Sequence, residues 1–309
     1  MRILVHIHTM NDMDVIRTSV AAVMAQTRPV DGLLIVDNAS SDGTPDFDFP
    51  SITTIIRNSV NLGTSGAVAQ GLAYGLKNGF DWVWTLDADS APRPDALQIL
   101  LDFHASLTPE AQSRTSWVGS LPVNEHDGMP RHGLNFVPGH VVEAPREPDA
   151  QWYACDCTIW SGTLFRMASV REIGLPSSDY VLDFGEAEYG YRCRQAGYDS
   201  YIHMSSIIDH DIGGTPSSAF VSRKIGPLRV PNLQVPPIRA YYIVRNSLYF
   251  WLYEYRGRRW LYVALLRLYK ASKLIVNALL IPEGKLRMLG ACLRGYRDGV
   301  LGHIQNRYR

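Results

Sequence analysis

An α/β fold, with a mostly parallel sheet flanked by helices and a helical C-terminal segment, is what this sequence predicts. Three observations carry the prediction. Strand-like apolar runs alternate with helical periodicity over the first half of the chain, the pattern of β-α-β units. The run Asp81-Trp82-Val83-Trp84-Thr85-Leu86 stops abruptly at Asp87-Ala88-Asp89, so a buried strand delivers two carboxylates to a sheet edge. From Arg239 onward the pattern is helical, aromatic and basic.

Ile3 to His8 reads as the first strand. Asp14 to Gln26 is a helix with Val15, Val20 and Val23 inward. Gly32 to Val36 and Ile52 to Ile56 are the second and third strands. Asn61-Leu62-Gly63-Thr64-Ser65-Gly66 opens a helix that reaches Lys77, and Asp81 to Leu86 is the strand that carries the paired acids. Between Pro122 and Pro148 the chain is polar and rich in Pro, Gly and His, which predicts a long irregular connection. Regular structure returns at Gln151 to Trp160. Helices follow near Arg166 to Ile173 and from about Glu186 to Ala196, where Gly197 stops the second. Tyr198 to Ile208 is the last strand, before His210, and Gly213 to Pro237 reads as loop. No internal repeat is present.

A chain of 309 residues holds one large α/β domain, or one domain with an appendage. Its 30 basic and 30 acidic residues cancel, which excludes a global field that would attract nucleic acid. The balance is uneven, however: Arg256 to Arg309 contains twelve Lys or Arg and two acids, Glu283 and Asp298. Cys155-Asp156-Cys157 is too close for a relaxed bridge and lacks the gap of a zinc knuckle. With Cys193 and Cys292 these read as reduced thiols. No signal-peptide apolar region precedes Ile3, and no stretch offers the ~20 apolar residues of a spanning helix. Together these predict a cytoplasmic protein.

Two anions as close as Asp87 and Asp89 need a cation, a shared proton or solvent. Hard oxygen ligands suit Mg²⁺ or Mn²⁺, ions that usually bridge nucleotide phosphates. The plain alternative is a solvated turn leading to Pro92 and Pro94. Three more features fall at strand ends, where nucleotide sites of open α/β sheets lie. Thr9-Met10-Asn11-Asp12 ends the first strand. Asp37 ends the second, where its carboxylate can accept from a base N–H or ribose hydroxyls, or make an Asx turn. Asn61 with Gly63 and Gly66 sits at a helix N-terminus, whose free amides favour phosphate oxygens; an ordinary cap is the alternative.

These residues resemble the inverting family-2 glycosyltransferases of the glycosyltransferase A fold, especially rhamnosyl- and galactofuranosyltransferase-like members. The resemblance runs from Ile3 to about Asn246. It rests on Thr9-Met10-Asn11, Val36-Asp37-Asn38 through Gly43-Thr44, Asn61 to Ala67 and Leu86-Asp87-Ala88-Asp89. It continues in Ser161-Gly162-Thr163-Leu164-Phe165-Arg166, Asp183-Phe184-Gly185-Glu186 through Arg192, His210, and Tyr241-Tyr242-Ile243-Val244-Arg245-Asn246. It implies a Rossmann-like mixed sheet of the nucleotide-diphospho-sugar transferase type. Asp37 would contact a uracil or thymine base and ribose, Asp87 would lie near ribose and metal, and Asp89 and His210 would bind Mn²⁺ or Mg²⁺. Glu186 matches the position of the family's catalytic base, and Asp183 is the second choice.

Each of these has a structural alternative. Asp183 to Glu186 has capping-box spacing, and an acid in a first turn is stabilised by the helix dipole. Glu188 and Arg192 form an i,i+4 pair that reads as structural. The chain departs from the family in carrying Gly185 where a first acid is common, Glu for Asp at 186, and a short Pro45–Pro50 segment in place of a helix. His6 and His8, on one strand face, read as packed. Trp152 and Tyr153 read as core. Trp160, with Gly162 beside it, is the best placed to line an acceptor cleft. His126, His132 and His140 lie in the irregular connection, with nothing that assigns them to the acceptor.

The division expected is a catalytic domain over 1–237, with a nucleotide-sugar half (1–121) and an acceptor half (122–237), then a helical basic segment over 238–309. That segment suits an anionic membrane surface, or else packing on the catalytic domain or on a second subunit of a homo-oligomer. The resulting reading is a metal-dependent enzyme of the hexosyltransferase type. It would move rhamnose or galactofuranose from a UDP- or dTDP-sugar to a hydroxyl of a surface polysaccharide or lipid-linked glycan, at the inner face of the plasma membrane. The alternatives are a sugar nucleotidyltransferase, whose Gly-rich loop His6 to Asn11 does not supply, and a catalytically silent nucleotide-sugar-binding protein. No G-x-G-x-x-G follows the first strand, which excludes a dinucleotide-binding oxidoreductase.

Overall fold

The computed structural model of the protein describes residues 1–210, 222–225, 228–231, 235–255, 257, 260–278 and 284–305. Four parallel strands, β1 (Ile3–Thr9), β2 (Gly32–Asp37), β3 (Thr53–Arg57) and β4 (Trp82–Asp87), pair in the order β3-β2-β1-β4. The near-continuous apolar runs of β2 and β4 follow from burial on both faces, whereas β3 at the sheet edge is only partly buried. Ile3, Val5, Ile7 and Trp84 share one core with Ile16, Val20 and Val23 of α1 (Ile16–Met24). Leu4, Leu34 and Val83 share the other with Ala67, Val68 and Leu72 of α2 (Gly63–Lys77). Alternate residues of one strand point to opposite faces, so the two helices cover opposite sides.

After β4 the chain makes a short strand, β5 (Ser90–Pro92), helices α3 (Ala96–Ser106) and α4 (Pro109–Arg114), and the long β6 (Thr115–Asn124). The expected irregular connection contains a hairpin, β7 (Leu134–Val137) and β8 (His140–Glu143). Of the regular segment expected at Gln151 to Trp160, only β9 (Trp152–Ala154) is strand. Then come β10 (Thr163–Arg166), α5 (Met167–Ile173), α6 (Gly185–Gln195) and β11 (Asp199–His210). A second hairpin, β12 (Ser222–Ile225) and β13 (Leu228–Pro231), replaces part of the loop expected at Gly213 to Pro237. Asp211, whose cap on a strand-end His210 is the structural alternative to a ligand role, lies outside the described residues.

Among the described residues the main sheet runs β3-β2-β1-β4-β10-β6-β11-β5, with β9 also on β11. β10 is antiparallel to both β4 and β6, while β11 is parallel to β6. The sheet is therefore mixed, as the glycosyltransferase A-type fold implies. Of greatest consequence for the site, β5 pairs antiparallel with the end of β11, setting His210 opposite Ser90.

The C-terminal segment is helical as expected: α7 (Pro237–Tyr249), a π-helical turn (Phe250–Glu254), α8 (Trp260–Ala278) and α9 (Lys285–Val300). Phe250 and Trp251 are fully buried, in a cluster with Phe136, Tyr180 and Tyr191. Burial of such rings contributes roughly 2–3 kcal/mol each. This aromatic stretch is thus packed against β7 and α6. Arg256, Arg258 and Arg259 lie outside the described residues. All four cysteines are free and buried, and burial raises the thiols of Cys155, Cys157, Cys193 and Cys292 above their ordinary range, away from reactivity. No helix among the described residues is long and apolar enough to cross a membrane.

Candidate active site

The ends of β1, β2 and β4 converge on a crevice of about 420 Å³, lined among others by His8, Thr9, Asn61, Gly63, Asp87 and Asp89. Asp87 is the last residue of β4, and Asp89 immediately precedes β5. Because β5 pairs with β11, His210 meets both acids. Its Nδ1 is 3.1 Å from Asp89 Oδ1 and its Nε2 is 3.7 Å from Asp87 Oδ2. One donor atom from each of Asp87, Asp89 and His210 lies within 4.8 Å of the others.

Two serines brace this group. Ser90 Oγ is 2.8 Å from His210 Nδ1 and 2.6 Å from Ser161 Oγ, and Ser161 Oγ accepts a hydrogen bond from the Asp87 amide at 3.1 Å. Asp89 Oδ1 is buried and accepts no well-formed hydrogen bond. A buried carboxylate oxygen without a donor is costly. Its near neighbour, His210 Nδ1 at 3.1 Å, is engaged by Ser90, and two carboxylates with an imidazole suit Mn²⁺ or Mg²⁺. The donor set fits a divalent ion.

His8 was read from sequence as packed, and the structure separates it from His6. His6 is fully buried, stacked on His8 at 5.8 Å between ring centres, and burial holds it neutral by pushing its pKa well down. His8 instead lies on the crevice wall, its Nε2 3.4 Å from Asp87 Oδ1. The register that pairs His8 with Asp87 across β1 and β4 was the missing information.

The remaining nucleotide residues take varied places. Thr9 lines the crevice, and its hydroxyl donates to Asp12 at 2.9 Å. Asn11 accepts from the Ser41 amide at 2.8 Å and so ties two strand-end loops together. Asp37 is buried and accepts from the amide of Ser40, three residues on, at 3.1 Å; its neighbour Asn38 reaches the crevice instead. At the start of α2, Asn61 Oδ1 accepts from the Gly63 amide at 2.7 Å and Val181 O accepts from the Thr64 amide at 3.1 Å. Those two amides are therefore already used and are not open to phosphate.

Gly63 has φ +72°, and a Cβ there would sit 1.9 Å from Val181 O. Both the left-handed backbone and the backbone contact require glycine. Gly63→Ala is expected to destabilise the protein by about 2–4 kcal/mol, read as a lower urea midpoint. An unchanged midpoint would show that the loop carrying Val181 yields freely.

The second cluster sits where the chain enters α6. Asp183 and Phe184 both have left-handed backbones, at φ 61° and 71°, unusual for non-glycine residues. They are held from α7: Asn246 Nδ2 donates to the carbonyls of Leu182 and Asp183, each at 2.8 Å. Arg239 grips the Asp183 carboxylate with two hydrogen bonds of 3.0 and 3.1 Å. Glu186 is half-buried, and loss of water raises its carboxyl from 4.5 to about 7, with the negative charges of Asp183 and Asp87 adding to the rise. A carboxyl near neutrality can exchange protons at working pH, whereas Asp183 is committed to Arg239. Glu188 pairs with Arg192 along the helix, as its spacing suggested.

Gly185, which departs from the family pattern, has a packing cause. A Cβ there would fall 2.0 Å from Ser65 Oγ and 2.8 Å from Trp160 Cη2. The close approach of α6 to α2 leaves no room for an acid. Trp160 and Gly162 are buried and do not line the crevice. Their turn threads between strands, with the Gly162 amide donating to Thr85 O at 2.8 Å and its carbonyl accepting from the Ser120 amide at 2.9 Å. Ile238 and Tyr242 of α7 complete the crevice wall from beyond the boundary expected at 237.

Comparison with known proteins fits this arrangement. Residues 4–172 match the model of Glycosyl transferase family 2. The chain is 28% identical over 193 residues to galactofuranosyltransferase GlfT1 of Mycobacterium tuberculosis, covering 60% of this chain and 62% of that protein. It is 29% identical over 143 residues to undecaprenyl-phosphate mannosyltransferase of Micrococcus luteus, covering 39% of this chain and 58% of that protein. The chain thus spans about three fifths of the length of these curated relatives. In fold it is similar to the mannosyltransferase PcManGT of Pyrobaculum calidifontis, solved in complex with GDP-Man and Mn²⁺. The TM-score is 0.56 at 14% identity, over 97% of this chain and 87% of that one. The family match takes in more than half of the chain, including the strand that presents Asp87 and the acid that follows it, and the protein belongs to glycosyl transferase family 2.

Proposed function

We propose that the protein is an inverting, metal-dependent hexosyltransferase. It moves a sugar, with rhamnose or galactofuranose favoured, from a UDP- or dTDP-sugar to a hydroxyl of a cell-surface polysaccharide or lipid-linked glycan. The observation that carries the reading is the convergence of Asp87, Asp89 and His210 at the strand ends, with Asp89 Oδ1 buried and making no well-formed hydrogen bond. Those three residues would hold Mn²⁺ or Mg²⁺. The chemistry such an ion supplies is neutralisation of charge on the departing diphosphate.

The chain's own residues supply the rest. Glu186 takes the proton of the acceptor hydroxyl as its oxygen bonds to the anomeric carbon and the bond from that carbon to the diphosphate oxygen breaks on the opposite face. Arg239 occupies Asp183 and leaves Glu186 as the proton acceptor. Asn38, Thr9 and Asn61 offer polar contacts along the donor's path. In this reading residues 1–121 hold the nucleotide-sugar, 122–237 hold the acceptor, and α7 closes the crevice. The reaction takes place in the cytoplasm, where nucleotide-sugars are made.

The silent-protein alternative rested on Gly185, and the close contact with Ser65 gives that residue a packing cause. The sugar nucleotidyltransferase reading has no Gly-rich loop to stand on, and the family match opposes it. Thermal melts with UDP, dTDP or GDP, each with and without Mn²⁺, test the proposal. A nucleotide at one hundred times its dissociation constant stabilises the fold by about 2.7 kcal/mol. A rise of several degrees is expected for UDP or dTDP with Mn²⁺ and little without it. The absence of a shift with every nucleotide would defeat the reading.

A further inference from the structure

The outer face of α8 is apolar although it does not face the protein. Val263, Ala264, Ala271 and Ala278 turn inward, and Gly139 of the β7–β8 connection approaches so closely that a Cβ there would meet Leu266 at 2.9 Å. On the opposite side Leu261, Leu265, Tyr269 and Val276 are 62%, 59%, 58% and 56% exposed, joined by Tyr262 at 55%. The spacing of four, four and seven residues places Leu261, Leu265, Tyr269 and Val276 in one stripe along the helix. A continuous exposed apolar stripe on a 19-residue helix marks a contact surface.

The charge around the stripe identifies its partner. Lys273 stands beside it, its ammonium 4.7 Å over the Tyr269 ring, and Arg287 and Arg294 are exposed on the adjoining α9. Neither arginine pairs with an acid among the described residues. From residue 256 to the end the acids are Glu283 and Asp298, and Asp298 is buried in bonds to Tyr241 and Arg297. A second copy of this chain is a poor fit, because a two-fold contact would lay this acid-poor, cation-bearing patch on the same patch of its partner. An anionic lipid surface meets both needs, with acyl chains for the stripe and phosphates for the cations.

We propose that α8 lies flat in the headgroup layer of an anionic membrane, with Leu261, Leu265, Tyr269 and Val276 inserted and Lys273, Arg287 and Arg294 at the phosphates. The surface stands apart from the crevice residues, so this holds whether or not the reaction proposed above is correct. Docking here would hold the β7–β8 hairpin, which packs on the same helix, near the membrane.

The test is flotation of the full chain with vesicles of phosphatidylcholine alone, or of equal parts phosphatidylcholine and phosphatidylglycerol. The protein is expected to float with the anionic vesicles only, and less so as salt rises. Leu265→Asp/Tyr269→Asp is expected to abolish flotation while its melting curve stays that of the parent, since both side chains are exposed. Lys273→Ala/Arg287→Ala/Arg294→Ala is expected to weaken binding about 100-fold, at about five-fold per cation. Absence of flotation by the parent protein, or equal flotation by the aspartate variant, overturns the proposal. So does sedimentation showing a dimer that the aspartate variant dissolves, with no vesicle binding. Failure of donor turnover would bear on the reaction alone.

Discussion

Glu186→Gln is expected to lower transfer about 10³-fold and at the same time to make the protein more stable at pH 8. The rate effect follows from removing the proton acceptor, since a positioned general base typically contributes 10²–10⁴-fold. The stability effect follows from the same burial that tunes the group. Folding raises the carboxyl from 4.5 to about 7, so the folded protein holds that proton more tightly than the unfolded chain. The cost of carrying an ionised Glu186 is therefore absent below about pH 4.5, grows between 4.5 and 7, and is fully present above 7. Gln carries no such cost. A gain on the order of 2 kcal/mol is expected at pH 8 and none at pH 4, a rise of roughly 4 °C by calorimetry.

The parent enzyme's activity should accordingly fall about tenfold per pH unit below an apparent pKa near 7. Because the Asp87 charge contributes to the rise, a cation at Asp87 shifts that limb to lower pH. Full activity in Glu186→Gln, or an acid limb still present in that variant, would move the role elsewhere, with Asp183 the first alternative.

Asp89→Ala is expected to weaken Mn²⁺ binding by at least about 100-fold in titration calorimetry, and to reduce transfer by a similar factor or more. The calorimetric readout stands independently of catalysis. Without metal the variant should melt at least as high as the parent. The substitution gives up the 3.1 Å contact of Asp89 Oδ1 with His210 Nδ1, which is not a well-formed hydrogen bond, and removing one of two neighbouring anions relieves repulsion with Asp87. With Mn²⁺ the parent's melting point rises and the variant's does not. Equal Mn²⁺ affinity in the two proteins would show that this aspartate is not a ligand.

Much of the site was legible because its signals are local. A run of five buried residues cut off by Asp-Ala-Asp places two acids at a strand end whatever the rest of the chain does. The Gly63 turn and the acid in the first turn of α6 are similarly short-range features. The hairpin at β7–β8 was missed because its Pro, Gly and His composition masks two strands of only four residues each. Trp160 and Gly162 were expected on a cleft wall, and the antiparallel insertion of β10 between β4 and β6 draws their turn inside.

The sequence by itself determined the α/β class, the order of most elements along β1 to α2, the paired acids and the basic helical tail. Periodicity and strand-end chemistry act over a few residues and need no partner. Only the tertiary structure decided that Ser161 braces the Asp87 amide across 74 residues, that Ser90 meets His210 across 120, and that Arg239 claims Asp183 across 56. It also decided that His8 faces the crevice while His6 is sealed, and that Gly185 is required by Ser65. Those outcomes depend on which strands pair and in what register, and a shift of one residue would turn every side chain to the other face.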